Sequence, residues 1–139
     1  MDTAGQERFK SINKSYLKNA DCCLLVYDIS KRNTFIECQT YFNEIIKEEC
    51  QKNIPVIVLG NKTDLEKERQ VSSDEGSDFS LENKYIFMET SCLKNEKVSD
   101  AFATLIEKTY REAIKNNTIR RRGTAVLIKK HKKKKLLCC

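Results

Sequence analysis

Pro55-Val56-Ile57-Val58-Leu59-Gly60 is an unbroken apolar run that passes straight into the polar string Asn61-Lys62-Thr63-Asp64. A short apolar run without alternation reads as a strand buried on both faces, the kind that builds parallel sheets. Two similar runs flank it. Cys22-Cys23-Leu24-Leu25-Val26-Tyr27 precedes it and reads as a second strand buried on both faces. Tyr85-Ile86-Phe87-Met88 follows and reads as a third strand.

Between these runs the apolar spacing becomes helical. Phe35, Cys38, Phe42, Ile45 and Ile46 mark a helix over Asn33–Cys50, with Ser30 or Asn33 as its cap. Ser72 with Glu75 three residues on matches a capping box, which opens a shorter helix ending near Asn83. Val98, Phe102, Leu105, Ile106, Thr109 and Ala113 mark a long final helix. Strands spaced by helices predict an α/β fold of parallel strands joined by crossover helices. The periodicity stops at Asn116. Residues 1–116 are therefore expected to form the domain, and 117–139 a disordered basic tail.

The 139 residues carry a net charge of +6. Nine basic residues and no acid lie between Arg120 and Lys135, and the remainder holds 17 basic and 20 acidic residues. The excess thus belongs to the tail, which suits an anionic surface. No aromatic is interleaved with the lysines and no nucleic-acid recognition motif is present, so nucleic acid is not the expected partner. No run approaches the length of a membrane span. The N-terminus lacks the pattern of a signal peptide, which makes a cytosolic location the default. The seven cysteines show no Cys-x-x-Cys pair, and the single histidine, His131, lies in the tail, so neither a disulfide framework nor zinc is indicated.

Ligands of such sheets bind beyond the carboxyl ends of the strands. Three polar clusters fall there: Asp28-Ile29-Ser30, Asn61 to Asp64, and Glu89-Thr90-Ser91. Taken alone, Asn61–Asp64 could be an ordinary turn, since Asn, Lys and Asp are common after strands. Asp2-Thr3-Ala4-Gly5-Gln6-Glu7 could likewise be the capped start of a helix, which accounts for one Asp and one Glu but not for the full string through Phe9.

Together, Asp2–Phe9, Leu25-Val26-Tyr27-Asp28, Gly60-Asn61-Lys62-Thr63-Asp64, Glu89-Thr90-Ser91 and the terminal Cys138-Cys139 after a basic tail resemble a Rab-type small GTPase over nearly the whole chain. The resemblance implies the C-terminal part of a P-loop GTPase fold, with GTP or GDP and Mg²⁺ as ligands. Asp64 would accept hydrogen bonds from guanine N1 and N2, a donor pair that adenine lacks. Asn61 would meet the base edge, and the Lys62 stem would lie along the base plane. The backbone at Ser91 and Cys92 would meet guanine O6; the family usually has Ala where Cys92 stands. Asp2 would hold Mg²⁺ through water, Gly5 would offer its N–H to the γ-phosphate, and Gln6 would orient the attacking water. Arg8–Lys18 would form the second switch, read by effectors, an exchange factor and a GTPase-activating protein. Phe9, Ile12 and Tyr16 within it serve equally as core residues of an amphipathic helix.

The family's phosphate-binding motif, Gly-x-x-x-x-Gly-Lys-[Ser/Thr], does not occur in these 139 residues. The expectation is an N-terminally truncated member without the phosphate loop and first switch, which does not bind GTP at micromolar concentration as written. Its Leu24–Tyr27 strand, which in the family pairs with the strand leading into that loop, becomes a sheet edge that invites aggregation, so poor solubility or a dynamic state is expected of the isolated chain. The tail resembles those that the prenylation machinery modifies with geranylgeranyl groups on both terminal cysteines. Two chains plus nearby lysines give stable attachment to an anionic leaflet. The implied location is the cytoplasmic face of an intracellular membrane, in exchange with cytosol, and the implied role is a switch in vesicle traffic. The alternative is a nucleotide-free interaction module without catalysis.

Overall fold

In the computed structural model, residues 20–41 and 54–115 are described, and the structural statements below concern those residues. Three parallel strands form a sheet in the order β1-β2-β3: β1 is Cys23–Asp28, β2 is Val56–Asn61 and β3 is Ile86–Thr90. Helix α1 (Arg32–Tyr41) follows β1, a 3-10 helix (Thr63–Glu68) and helix α2 (Ser73–Glu82) follow β2, and helix α3 (Val98–Lys115) follows β3. The expected α/β architecture of parallel strands and crossover helices is present. The remainder of the first predicted helix, with Phe42, Ile45, Ile46 and Cys50, lies outside the described residues, as does the predicted boundary at Asn116.

Alternation along the strands sends successive side chains to opposite faces. One face carries Leu25, Tyr27 and Val58, which pack with Phe35 and Cys38 of α1 and Phe79 of α2. The Tyr27 and Phe35 rings lie 4.8 Å apart, and Phe35 meets Phe79 edge to face at 5.9 Å. The other face carries Ile57 and Leu59, covered by Ala101 and Leu105 of α3. Central β2 is therefore buried on both sides, as its continuous apolar run requires.

β1 departs from the same expectation. Its run looks equally apolar, yet Val26 is 53% exposed. Among the described residues β1 pairs only with β2, so the α3 face of β1 is incompletely covered. The α3 stripe differs too. Leu105 is buried, whereas Phe102 and Ile106 are exposed, and Ala101 supplies the second buried contact. β3 runs two residues beyond its predicted end, placing Glu89 and Thr90 on the strand rather than after it.

Capping separates what is local from what is not. Ser72 accepts from the Glu75 N–H while the Glu75 carboxylate accepts from the Ser72 N–H, which is the predicted capping box. The Asn83 side chain then donates to the Phe79 carbonyl at 2.8 Å as α2 closes. Neither Ser30 nor Asn33 caps α1 as expected. The Ser30 hydroxyl is bonded to Asp28 and Asn33 lies inside the helix. The first α1 N–H, that of Arg32, is instead taken by the Gln70 side chain at 3.0 Å. α2 also contains Gly76, where a Cβ would come within 2.5 Å of both the Phe87 ring and the Tyr27 hydroxyl. The helix lies that close to the sheet because this position has no side chain.

Candidate functional site

The three strands end together, and their polar ends converge. β1 finishes at Asp28, which pairs in register with Asn61 at the end of β2; Asn61 pairs in turn with Thr90 of β3. The Ile29 N–H donates to the Asn61 carbonyl at 3.0 Å, tying the first loop to the second.

The backbone after Asn61 turns sharply. Lys62 adopts φ 70° and ψ 41°, the left-handed region uncommon for a residue with a side chain. Leu65 N–H closes the turn on the Lys62 carbonyl at 2.9 Å. This places Asp64 in the first turn of the 3-10 helix. Arg69 braces that helix against β3. Its guanidinium bonds both oxygens of Glu66 and both oxygens of Glu89, and also the Val71 carbonyl.

The third loop is folded onto the second. Asn61 Oδ1 accepts from the Thr90 hydroxyl at 3.3 Å and from the Cys92 N–H at 3.4 Å. The buried Ser91 hydroxyl donates to Asp64 Oδ1 and accepts from the Lys94 N–H at 3.1 Å. Ser91 and Glu96 form a two-way backbone bridge that holds the loop closed. Cys92 is exposed beside it.

Of the residues singled out from the sequence, Asn61, Asp64, Ser91 and Cys92 thus form one hydrogen-bonded cluster. Lys62 reaches out of it, with Nζ 2.7 Å from Asp28 Oδ2. Asp2, Gly5, Gln6, Cys138 and Cys139 lie outside the described residues. Sequence reasoning left Asp28 and Arg69 out of the site. Asp28 stood in a recognised polar cluster, but its partner is fixed by strand register. Arg69 carried no signal, because its Glu89 partner is 20 residues away.

The cluster offers both hydrogen-bond acceptors and donors. A carboxylate oxygen has two lone pairs, so Asp64 can accept from paired N–H donors while Oδ1 also accepts from Ser91. With Oδ1 of Asn61 occupied, its NH₂ group supplies the donors of that side chain. The burial of Asp28 would raise its pKa, but hydrogen bonds from Lys62 and Ser30 hold it below the ordinary carboxylate value. The same Asp28 hydrogen bond raises Lys62 above the usual lysine value. Both groups are therefore charged at neutral pH. A separate cleft of about 300 Å³ between α1 and α2, lined by residues including Arg32, Phe35 and Glu75, shares no residue with this cluster. Among the described residues, no helix is long and apolar enough to cross a membrane.

A sequence model of the Ras family matches residues 1–111. This chain belongs to the Ras family. Ras-related protein Rab-17 of Homo sapiens is 35% identical over 138 residues, 99% of this chain and 65% of that protein. Rab-17 of Mus musculus is 38% identical over 112 residues, 81% of this chain and 52% of its own length. Ras-related protein Rab-11A of Dictyostelium discoideum is 40% identical over 109 residues, 78% of this chain and 50% of its own. This Ras-family chain is accordingly a Rab-type small GTPase sequence that spans between half and two thirds of these relatives' length. The Asn61–Asp64 and Ser91–Cys92 cluster lies within the matched residues.

Proposed function

We propose that the cluster at the carboxyl end of the sheet is a guanine-binding site and that the whole protein is a Rab-like switch that binds and hydrolyses GTP. The observation that carries this reading is the convergence of Asn61, Asp64, Ser91 and Cys92, from two loops, into one hydrogen-bonded unit. Asp64 selects guanine by accepting from N1 and N2. Asn61 meets the base edge, the Lys62 stem flanks the ring, and the Ser91–Cys92 backbone receives O6.

For the whole protein the reading extends, by family resemblance, to residues beyond those described. Bound GTP supplies the phosphoryl group that is transferred to water. Gln6 would orient that water, Gly5 would donate to the γ-phosphate, and Asp2 would help hold Mg²⁺, which would stabilise the phosphate charge. The second switch is read by effectors, an exchange factor and a GTPase-activating protein. Prenylated Cys138 and Cys139, with the basic tail, attach the protein to the cytoplasmic face of an anionic membrane, where it acts in vesicle traffic.

Guanosine is the right probe for the base site, because it asks nothing of phosphate contacts. In NMR titrations of the full chain, guanosine should bind with a Kd on the order of millimolar. It should shift the amides of Asn61–Asp64 and Ser91–Cys92. Inosine, which lacks the N2 amine, should bind more weakly, adenosine should not bind, and Asp64→Ala should abolish the response. Equal binding of adenosine and guanosine would sink the assignment. The second reading, an interaction module without nucleotide, draws on the exposed apolar residues Val26, Phe102 and Ile106. It gains if guanosine leaves every amide unmoved.

A further inference from the structure

We propose that Asp28, which ends one of the family-like strings but is not among the guanine contacts, is a positioning residue of the base site: it fixes Lys62 and thereby the left-handed turn that delivers Asp64. The proposal rests on the guanine-binding reading above.

The argument starts from the carboxylate. Asp28 is the last residue of β1 and the register partner of Asn61. Its Oδ1 accepts from the Ser30 N–H at 2.9 Å and from the Ser30 hydroxyl at 2.7 Å. Its Oδ2 takes Lys62 Nζ at 2.7 Å. The backbone on both sides is also fixed: the Asp28 N–H donates to Thr34 Oγ1 at 3.0 Å, and the next N–H, of Ile29, donates to the Asn61 carbonyl. The carboxylate is thus anchored on the sheet before Lys62 meets it. The side chain of Asp28 is only 11% exposed and that of Lys62 46%.

The consequence falls on Lys62. A lysine in the left-handed region is strained, and it stays there only where its surroundings over-determine it. Two contacts do so here, the Leu65 N–H on its carbonyl and the Asp28 carboxylate on its ammonium. An ammonium free in water would let the long stem sample many rotamers, and each would have to be frozen when the base arrives. Held by Asp28, the stem is ordered beforehand. An ordinary surface ion pair has little worth because two mobile chains must be ordered to form it. In this pair the acid is already immobile, so only Lys62 pays that cost.

A plain structural role is the competing account, in which Asp28 merely shapes the β1–α1 loop through Ser30. Asp28→Asn separates the two. It keeps the size and an oxygen acceptor for Ser30 but removes the charge that holds Lys62. The experiment compares full-length wild type, Asp28→Asn, Lys62→Met and the double variant by amide NMR and guanosine titration. Asp28→Asn is expected to keep the folded spectrum and shift the Lys62–Asp64 amides. It should weaken guanosine about fivefold, the size expected of a roughly 1 kcal/mol coupling. In the Lys62→Met background it should weaken guanosine no further, because the two residues act as one unit. Guanosine affinity within twofold of wild type in Asp28→Asn overturns the proposal and leaves the guanine site standing. Full additivity in the double variant overturns it as well. Failure of wild type to bind guanosine overturns the guanine reading and this proposal with it. Should Asp28→Asn not fold, Asp28→Glu, which keeps the charge but displaces it by one methylene, takes its place with the same criterion.

Discussion

Tyr27 shows most plainly what a single atom does in this core. Its ring is wedged between Phe35 and the sheet, and the residue is 2% exposed. The hydroxyl lies close to Gly60 and Gly76, and among the described residues it has no hydrogen-bond partner. Burial, with the nearby Glu89 carboxylate, pushes its pKa well above the usual phenol value, so it stays neutral. A buried donor without a partner costs its full desolvation energy. Tyr27→Phe should therefore raise stability, by about 1 kcal/mol. Urea unfolding of the two proteins measures this, and a lower midpoint for Tyr27→Phe at unchanged slope would show that the hydroxyl is satisfied. The composition of the run Cys22–Tyr27 could announce a strand, but not an orphaned hydroxyl, which depends on a helix placed almost fifty residues later. The same limit hid Asp28. A carboxylate after a strand is visible in the sequence, whereas its meeting with Lys62 depends on register between β1 and β2.

At the scale of elements, α2 was legible because its start is encoded within four residues. The box of Ser72 and Glu75 needs only side chains that reach their own backbone. α1 was legible as a helix but not at its cap, since Gln70 comes from the far side of β2. The α2 start also carries a pH signature. Hydrogen bonding from Arg32, then from the Ser72 N–H, lowers Glu75 from 4.5 to about 2. A carboxyl depressed on folding contributes stability that is fully present above its unfolded pKa and disappears as pH falls through the folded one. Stability should thus decline between about pH 4.5 and about pH 2. Asp28 and Glu66 are depressed as well, by Lys62 and Arg69, and add slope in the acid range. Glu75→Gln isolates one contribution, because a glutamine still fits the capping box but cannot ionise. The stability difference between wild type and Glu75→Gln should shrink as pH drops through that window. A difference that stays constant from pH 6 to pH 2 would mean that the Glu75 charge does not contribute.

For the whole molecule, the two faces of the sheet are unequal. The α1 and α2 face is closed by aromatic packing, whereas the α3 face is covered over β2 but thinly over β1. Val26 projects on that thin side by strand alternation, since its neighbours Leu25 and Tyr27 pack on the other. Phe102, Ile106 and Tyr110 on α3 are 51%, 66% and 60% exposed. Their spacing of four aligns them along one stripe of the helix. Among the described residues β1 pairs only with β2, and an exposed strand edge and an apolar helix stripe are surfaces that other chains can use, through backbone pairing at the edge and burial along the helix. This is also why the runs of β1 and β2 read alike: hydrophobicity records that a strand is to be covered, not what covers it. The expected behaviour of this chain is association that grows with concentration. Paired substitution of Val26→Thr and Ile106→Lys should suppress it while leaving the cooperativity of unfolding intact, because both side chains are already largely in solvent. Sedimentation velocity across a hundredfold range of concentration decides the point. A wild-type chain that stays monomeric throughout, or a double variant that associates as strongly as wild type, would remove the edge and stripe from the account.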